Sequence, residues 1–265
     1  MPEGHTLHRL ARQQQKLFAG RQIAVSSPQG RFIAGAEALD GHTLLRAEAF
    51  GKHLFQRYRG APILHVHLGL FGKFTTGTGE PPDPRGALRL RMVADEAWTD
   101  LRGPTACELL DRGAFDALLS RLGPDPLRKD SDPDVAFRKI SRSSVCIAAL
   151  LMDQGVLAGI GNVYRAEILF RHGVDPFRSG RSIGPELWRA MWDDLVVLMR
   201  SGVRTGRIET VRPQHRPRTR GALNRTEAGY VYRRTALPCR VCGTPVAKTE
   251  LVGRNLFWCS TCQAA

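Results

Sequence analysis

Two Cys-x-x-Cys pairs, Cys239/Cys242 and Cys259/Cys262, stand sixteen residues apart near the C-terminal end of the 265-residue chain, and no other feature restricts the fold as much. A CxxC turn places two thiolates on one side of a tight knuckle, and two knuckles complete a tetrahedral metal site. A segment this short cannot fold on its own core, so the metal supplies much of its folding energy. The doubled spacing favours Zn²⁺ over the rival readings, disulfides or a redox pair, wherever thiols stay reduced. With all four thiolates used, no position remains for water, and one structural zinc per chain is expected. Between the knuckles, residues 249–258 read as a β-hairpin with Gly253-Arg254 at or near its turn. An Arg at a hairpin tip suits a phosphate contact, although an exposed turn arginine is more often merely solvated. Cys107 and Cys146 lack ligand spacing and read as core thiols.

Charge supplies the next constraint. Lys and Arg number 39 against 25 Asp and Glu, a net charge of +14. From Ser201 onward there are twelve basic and three acidic residues. Such a basic region is the electrostatic footprint of a nucleic-acid binder, or else the mark of an Arg-rich protein from a GC-rich genome. The longest wholly apolar stretch, Val145 to Met152, is far short of the ~20 residues that a spanning helix needs. The start, MPEGHTLHRLARQQQ, has polar residues where a secretory signal places its apolar core. A cytoplasmic protein is therefore expected.

The hydrophobic pattern divides the chain. Leu7, Leu10, Ala11, Leu17 and Phe18 fall at helical spacing, and Gly20 is a natural stop. Residues 21–105 read as β: Leu88, Leu90, Met92 and Ala94 alternate with Arg89, Arg91, Val93 and Asp95. A β-sandwich with the first helix packed on it is the simplest arrangement. Gly123-Pro124-Asp125-Pro126 and the residues to Pro133 read as a linker. Beyond it, 145–154, 163–172 and 185–200 are helix candidates, the last with Pro185 at its first position. Residues 203–229 are an irregular Arg-, Pro- and Gly-rich arm. The expected α+β architecture is thus a β-sandwich domain over 2–122, a helical domain over 123–229 and a four-Cys finger over 230–265.

Pro2-Glu3 carries a chemical suggestion of its own. Removal of Met1 exposes Pro2 as a free secondary amine, and terminal amines titrate near pH ~8. Such an amine condensing with a sugar aldehyde carbon gives an iminium that has no N–H to lose. That electron sink acidifies the C2′ hydrogens and opens a β-elimination path. Glu3, next in the chain, is placed to protonate the leaving sugar oxygen.

From PEG after Met1, AFGKHLF around Lys52, HLGLFGKF at 67–74, LAGIGNVYRAEILF at 157–170, RIETVRPQHRP at 207–217 and GRNLFWCSTCQ at 253–263, the chain closely resembles the formamidopyrimidine-DNA glycosylase/endonuclease VIII family. The resemblance spans nearly the whole length and implies a bifunctional DNA glycosylase/AP lyase of base excision repair. On it, Pro2 resembles the Schiff-base nucleophile and Glu3 the general acid/base. Lys52 resembles the hairpin-turn lysine at the reacting sugar–phosphate, and Leu70 the residue inserted where the nucleotide is flipped out. Asn162 resembles the phosphate-contacting asparagine of the helix–two-turns–helix motif, with Gly161 letting backbone approach a phosphate at a helix N-terminus. Arg254 resembles the finger arginine that clamps the phosphate and serves the second, δ, elimination. Glu167 reads either as a structural acceptor or as a group near Pro2. The start PEGHTLHRLA looks like the endonuclease VIII branch, which implies oxidised pyrimidines. In the stretch 100–105, Arg102 resembles the arginine that faces the orphaned base, with no aromatic beside it unless Phe115 supplies one. The partner implied is damaged double-stranded DNA, engaged by a monomer of bacterial, nucleoid-associated type. Two alternatives stay open, an 8-oxoguanine/formamidopyrimidine-specific glycosylase of the same fold and a non-catalytic zinc-ribbon lesion binder.

Overall fold

The computed structural model describes residues 2–218, 221, 223, 224 and 226–264, in two compact units, residues 1–121 and 122–265. The first opens with α1 (Gly4–Phe18), whose buried Leu7, Ala11 and Phe18 recur at helical spacing. It stops where Gly20 takes φ +80°, a conformation without penalty only for a residue lacking Cβ. There follow β1 (Ala24–Ser26), α2 (Ile33–Glu37), β2 (Leu44–Phe50), β3 (His53–Tyr58), β4 (Ile63–His67), β5 (Lys73–Thr78), β6 (Leu88–Ala94), β7 (Ala97–Arg102), β8 (Ala106–Leu110) and α3 (Arg112–Ser120). The strands form two antiparallel sheets in the orders β2-β3-β4-β8 and β1-β6-β7-β5. Leu54, Leu64 and Val66 of one sheet and Leu90, Met92 and Leu101 of the other share a core with Leu7 and Phe18 of α1.

Strand alternation places Leu90 and Met92 in that core as the sequence predicts, yet Arg91 between them is also buried. Its guanidinium meets Asp100, directly opposite in register, at 2.7 and 2.9 Å, and donates a further bond of 2.7 Å to the Pro82 carbonyl. Asp100 is fully buried and also accepts from Arg102 Nη2 at 3.0 Å. A two-residue alternation sees side chains one at a time and misses such a pair.

The second unit contains α4 (Pro133–Ile140), α5 (Ile147–Leu150), α6 (Asn162–Arg171), α7 (Pro185–Thr205), β9 (Ala247–Leu251) and β10 (Arg254–Trp258). Trp188, Met191, Leu195 and Met199 of α7 pack with Ile168 and Leu169 of α6, Ile147 of α5 and Ile140 of α4. The opposite side of α6, through Ala166 and Phe170, packs with Tyr230, Val246 and Phe257. The helix is therefore buried on two sides, between the helical core and the cysteine-bearing hairpin.

Three differences from the sequence reading have local causes. The helix expected over 145–154 shrinks to Ile147–Leu150, because Cys146 bridges Ser179, and the Gln154 side chain bonds Gly159 and Ile160 and turns the chain back. The supposed linker ends in a capped helix. The Asp132 side chain accepts from the Asp134 N–H with Pro133 in the first turn, and Asp111 caps α3 likewise. The hairpin turns at Val252-Gly253, with φ +52° and +64°, so Arg254 is the first residue of β10. Among the described residues, no helix is long and apolar enough to cross a membrane.

Asp100→Ala should strand the Arg91 charge without its carboxylate, and loss of one member of a buried pair costs about 3–5 kcal/mol. Urea unfolding is expected to show a lower midpoint and an unfolding free energy reduced by that amount; an unchanged midpoint would mean solvent replaces the carboxylate.

Candidate functional site

The first unit gathers chemistry at its N-terminus and at two neighbouring turns. Pro2 is half-buried, and Glu3, the N-cap residue of α1, is fully buried, its carbonyl accepting the Thr6 N–H at 2.9 Å. His5 follows, nearly fully buried. Burial first, then the positive charges of the terminal amine, Arg9 and His8, push it down to about 4, so the ring is neutral at pH 7. A buried histidine two residues after a buried acid escapes sequence reading, because the helical pattern of α1 does not mark it as special.

Lys52 lies in the turn between β2 and β3, after Gly51 at φ +57°. Register pairs His53 with His67, so this turn is the neighbour of the loop that follows β4. In that loop Gly69 takes φ +63°, and a Cβ there would overlap Thr105 Oγ1. A Cβ at Gly72 would overlap the Leu68 carbonyl. With both ends fixed by close packing, the side chains between are driven outward: Leu70 is 48% exposed and Phe71 87%. Phe71 was not singled out from the sequence, where its signal is an aromatic held between glycines.

Phe115, the ring held open beside Arg102, is 2% exposed, packed edge-on against Phe50 and Phe55 with the Arg57 guanidinium 4.8 Å over its ring. The Phe71 carbonyl approaches Gly103, the residue after Arg102, at 3.6 Å from where a Cβ would stand. Arg102 itself is engaged with Asp100 and with the Arg85 carbonyl at 3.3 Å.

In the second unit the four cysteine sulfurs lie within 4.8 Å of one another, with 3.4 Å between Cys242 and Cys259 and 3.9 Å between Cys239 and Cys262. A tetrahedral ion at a ~2.3 Å metal–sulfur distance requires sulfurs about 3.8 Å apart, so the donor set fits a structural metal with no open position. The hairpin carried by these knuckles exposes Arg254. One residue on, the Asn255 carbonyl accepts from Asn162 Nδ2 at 2.8 Å and from Arg165 Nη2 at 3.4 Å. Gly161 is the extended N-cap of α6 and Asn162 its first residue. Asn162 is thereby brought beside the Arg254 strand, ninety-two positions away in sequence. Its Oδ1 also accepts from the buried Arg165, a residue that the sequence pattern did not single out.

Within its own unit Glu167 is a structural acceptor. It is fully buried and accepts from the backbone N–H of Tyr230 at 2.7 Å, Val231 at 2.9 Å and Tyr232 at 2.8 Å, and from the Thr210 hydroxyl. All these partners lie in its own unit and fasten the strap that leads into the cysteine knuckles.

Family profiles match the chain in three consecutive stretches. They are "Formamidopyrimidine-DNA glycosylase N-terminal domain" over residues 1–107, "Formamidopyrimidine-DNA glycosylase H2TH domain" over 122–213, and "Zinc finger found in FPG and IleRS" over 236–265. Endonuclease 8 1 of Mycobacterium tuberculosis is 54% identical over 267 residues, spanning 99% of this chain and 100% of that protein. Formamidopyrimidine-DNA glycosylase of Thermus thermophilus is 32% identical over 276 residues, with 99% and 98% covered. Among solved structures, Lactococcus lactis Fpg in complex with abasic-site DNA has TM-score 0.79 at 22% identity, covering 99% of this chain and 100% of that one. The same protein with oxidised-pyrimidine DNA has TM-score 0.81 at 22% identity, with both chains fully covered. The likeness to these structures is one of fold.

Glu167→Ala should leave three backbone donors unsatisfied, at about 1–3 kcal/mol each if they stay dry. The strap should loosen and the cysteine site with it. Titration with a chromogenic chelator is expected to strip metal from the variant at lower chelator concentration than from wild type, and equal resistance would uncouple strap from knuckle.

Proposed function

The chain belongs to the formamidopyrimidine-DNA glycosylase family, a DNA-repair glycosylase and abasic-site lyase by that membership, and we propose that it excises oxidised bases, pyrimidines above all, through an iminium formed on Pro2. The observation that carries this reading is a buried carboxylate, Glu3, held at the helix N-cap next to Pro2. In the proposed course Pro2 nitrogen attacks sugar C1′ and the damaged base departs. Glu3 protonates the sugar ring oxygen as the ring opens, and the iminium holds the electron pair. Loss of a C2′ proton expels the 3′ phosphate by β-elimination. A second elimination expels the 5′ phosphate, with Lys52 and Arg254 as the phosphate-side cations.

Leu70 and the exposed Phe71 beside it are suited to fill the gap left by a flipped nucleotide, offsetting part of the few kcal/mol of unstacking. Gly161 and Asn162 at the start of α6 supply a phosphate platform at a helix N-terminus. Arg102, the last residue of β7, faces the orphaned base with its fork fixed by Asp100. The four cysteines hold one structural Zn²⁺, which presents Arg254. The functional parts follow as a catalytic β-sandwich (2–122), a helix–two-turns–helix domain (123–229) and a zinc finger (230–265). The protein works as a monomer on damaged duplex DNA at the bacterial nucleoid.

Two measurements test this. Borohydride should fix the protein to an abasic-site oligonucleotide in one-to-one ratio, with the adduct on Pro2. Pro2→Gly should lower trapping by about tenfold or more, since a primary amine is less suited to the iminium route. An adduct mapped to an internal lysine would overturn the nucleophile. Separately, single-turnover rates on duplexes with dihydrouracil, 5-hydroxyuracil, thymine glycol or 8-oxoguanine should favour the pyrimidines. A clear preference for 8-oxoguanine opposite cytosine would place the chain with the other branch.

A further inference from the structure

One face of the sheet β2-β3-β4-β8, the face covered by Phe115, carries a row of polar side chains that the proposed chemistry leaves unused. Alternation puts His53, Phe55, His65, His67 and Glu108 on this face, with His53 opposite His67 and His65 opposite Glu108. Glu108 Oε1 is 2.9 Å from His65 Nδ1, and His65 Nε2 is 2.8 Å from His53 Nδ1. The His53 and His65 ring centroids are 5.1 Å apart, with their hydrogen-bonded nitrogens facing, and Phe55 stacks on His65 at 5.0 Å. His65 is buried, whereas the Glu108 side chain is half-exposed at the sheet edge.

The direction of this chain follows from elementary donor and acceptor rules. An ionised carboxylate only accepts, so the His65 proton sits on Nδ1. Burial, above all, holds His65 low and pushes His53 down to about 3, with the charges of His65, His67, Lys52 and Arg121 adding to the effect on His53. Both rings are therefore neutral at pH 7. His65 Nε2 is then a lone pair, and the proton between the rings belongs to His53 Nδ1. What remains on His53 is a bare Nε2. On His67 the arrangement is opposite: Nδ1 accepts the Gly69 N–H at 3.2 Å, which leaves the proton on Nε2. The Lys52 charge is felt by both rings. Only His53 has a nitrogen able to accept from an ammonium.

We infer that Glu108, His65 and His53 form a positioning relay for Lys52, in which the carboxylate fixes the tautomer of two successive imidazoles so that His53 Nε2 accepts from the Lys52 ammonium and aims it. The inference rests on the proposed action of Lys52 at the sugar–phosphate. Glu108 touches neither DNA nor Lys52 in this scheme and acts through two rings. Its removal reverses the chain. Without the carboxylate, His65 is free to carry its proton on Nε2, His53 Nδ1 then accepts, and His53 presents an N–H to the lysine.

The experiment uses the full-length, metal-loaded protein. Long-range ¹H–¹⁵N spectra of the imidazoles should show His53 and His65 as Nδ1–H tautomers and His67 as Nε2–H, with His53 switching to Nε2–H in Glu108→Ala. An Nε2–H tautomer on His53 of the wild type would overturn the relay. Single-turnover strand cleavage of a preformed abasic-site duplex supplies the functional arm. At saturating DNA, Glu108→Ala should slow cleavage about 3–10-fold with little change in DNA affinity, the signature of an interaction used in the reaction step. Glu108→Gln keeps the acceptor oxygen and should recover most of the rate. In a Lys52→Ala background, Glu108→Ala should cost nothing further, because residues acting as a unit are not additive. Additive losses, or a Glu108→Ala rate equal to wild type while Lys52→Ala is slow, would remove the relay alone. A wild-type rate for Lys52→Ala would instead remove the role assigned to the lysine.

Discussion

A single buried carboxylate ties together the second half of this molecule. Glu167 lies in the middle of α6, where burying a bare charge is costly, and it is accommodated because three backbone N–H groups and a hydroxyl converge on it. Those donors belong to the strap that precedes the first cysteine knuckle. Two turns of position are thereby set at once: the strap cannot move along α6, and the hairpin it leads into meets the start of the same helix. There the Asn255 carbonyl closes on Asn162 and Arg165. The helix that opens with Gly161-Asn162 and the hairpin that opens with Arg254 share one rigid seam of polar bonds, lined by Phe170, Tyr230 and Phe257.

The first half is organised on a different principle, the two-residue alternation of a sheet. Successive residues of β3 and β4 send Leu54, Leu64 and Val66 into the sandwich core and His53, Phe55 and His65 to the opposite face. Two turns at one end of these strands are neighbours in register: Lys52 stands on one, Leu70 and Phe71 on the next. Rigidity comes from below. The sheet, the α1 helix and the Asp100 network define where the turns stand, and packed glycines leave the loop after β4 little freedom to retract its apolar tips.

Several features were legible from residues alone because each is a local rule. The helix over Gly4–Phe18 shows in its spacing, the four cysteines in their doubled CxxC pattern, and α7 in its Pro185 start and apolar stripe. Others were not. Arg91 and Arg165 look like surface residues by pattern, and each is buried because a partner far along the chain, Asp100 in one case and the Asn255 carbonyl in the other, neutralises or accepts from it. The helix expected over 145–154 shrinks for the same kind of reason, since Cys146 is bridged to Ser179 before its start and the Gln154 side chain turns the chain back after its end. Phe115, held open as a partner ring for Arg102, is spent on the cluster with Phe50 and Phe55.

What the sequence by itself determined was residue chemistry and family: a proline beside an acid directly after Met1, four thiols at metal-ligand spacing, an excess of positive charge, and motifs in a recognisable order. These are properties of residue type and short spacing, and they survive without coordinates. What only the tertiary structure decided was which side chains are committed and which remain exposed. Glu167 became a structural acceptor, Phe71 an exposed tip, and His53 a ring joined through His65 to Glu108. Hydrogen-bond direction and burial depend on partners that register and packing bring from tens of residues away, and no local pattern encodes them.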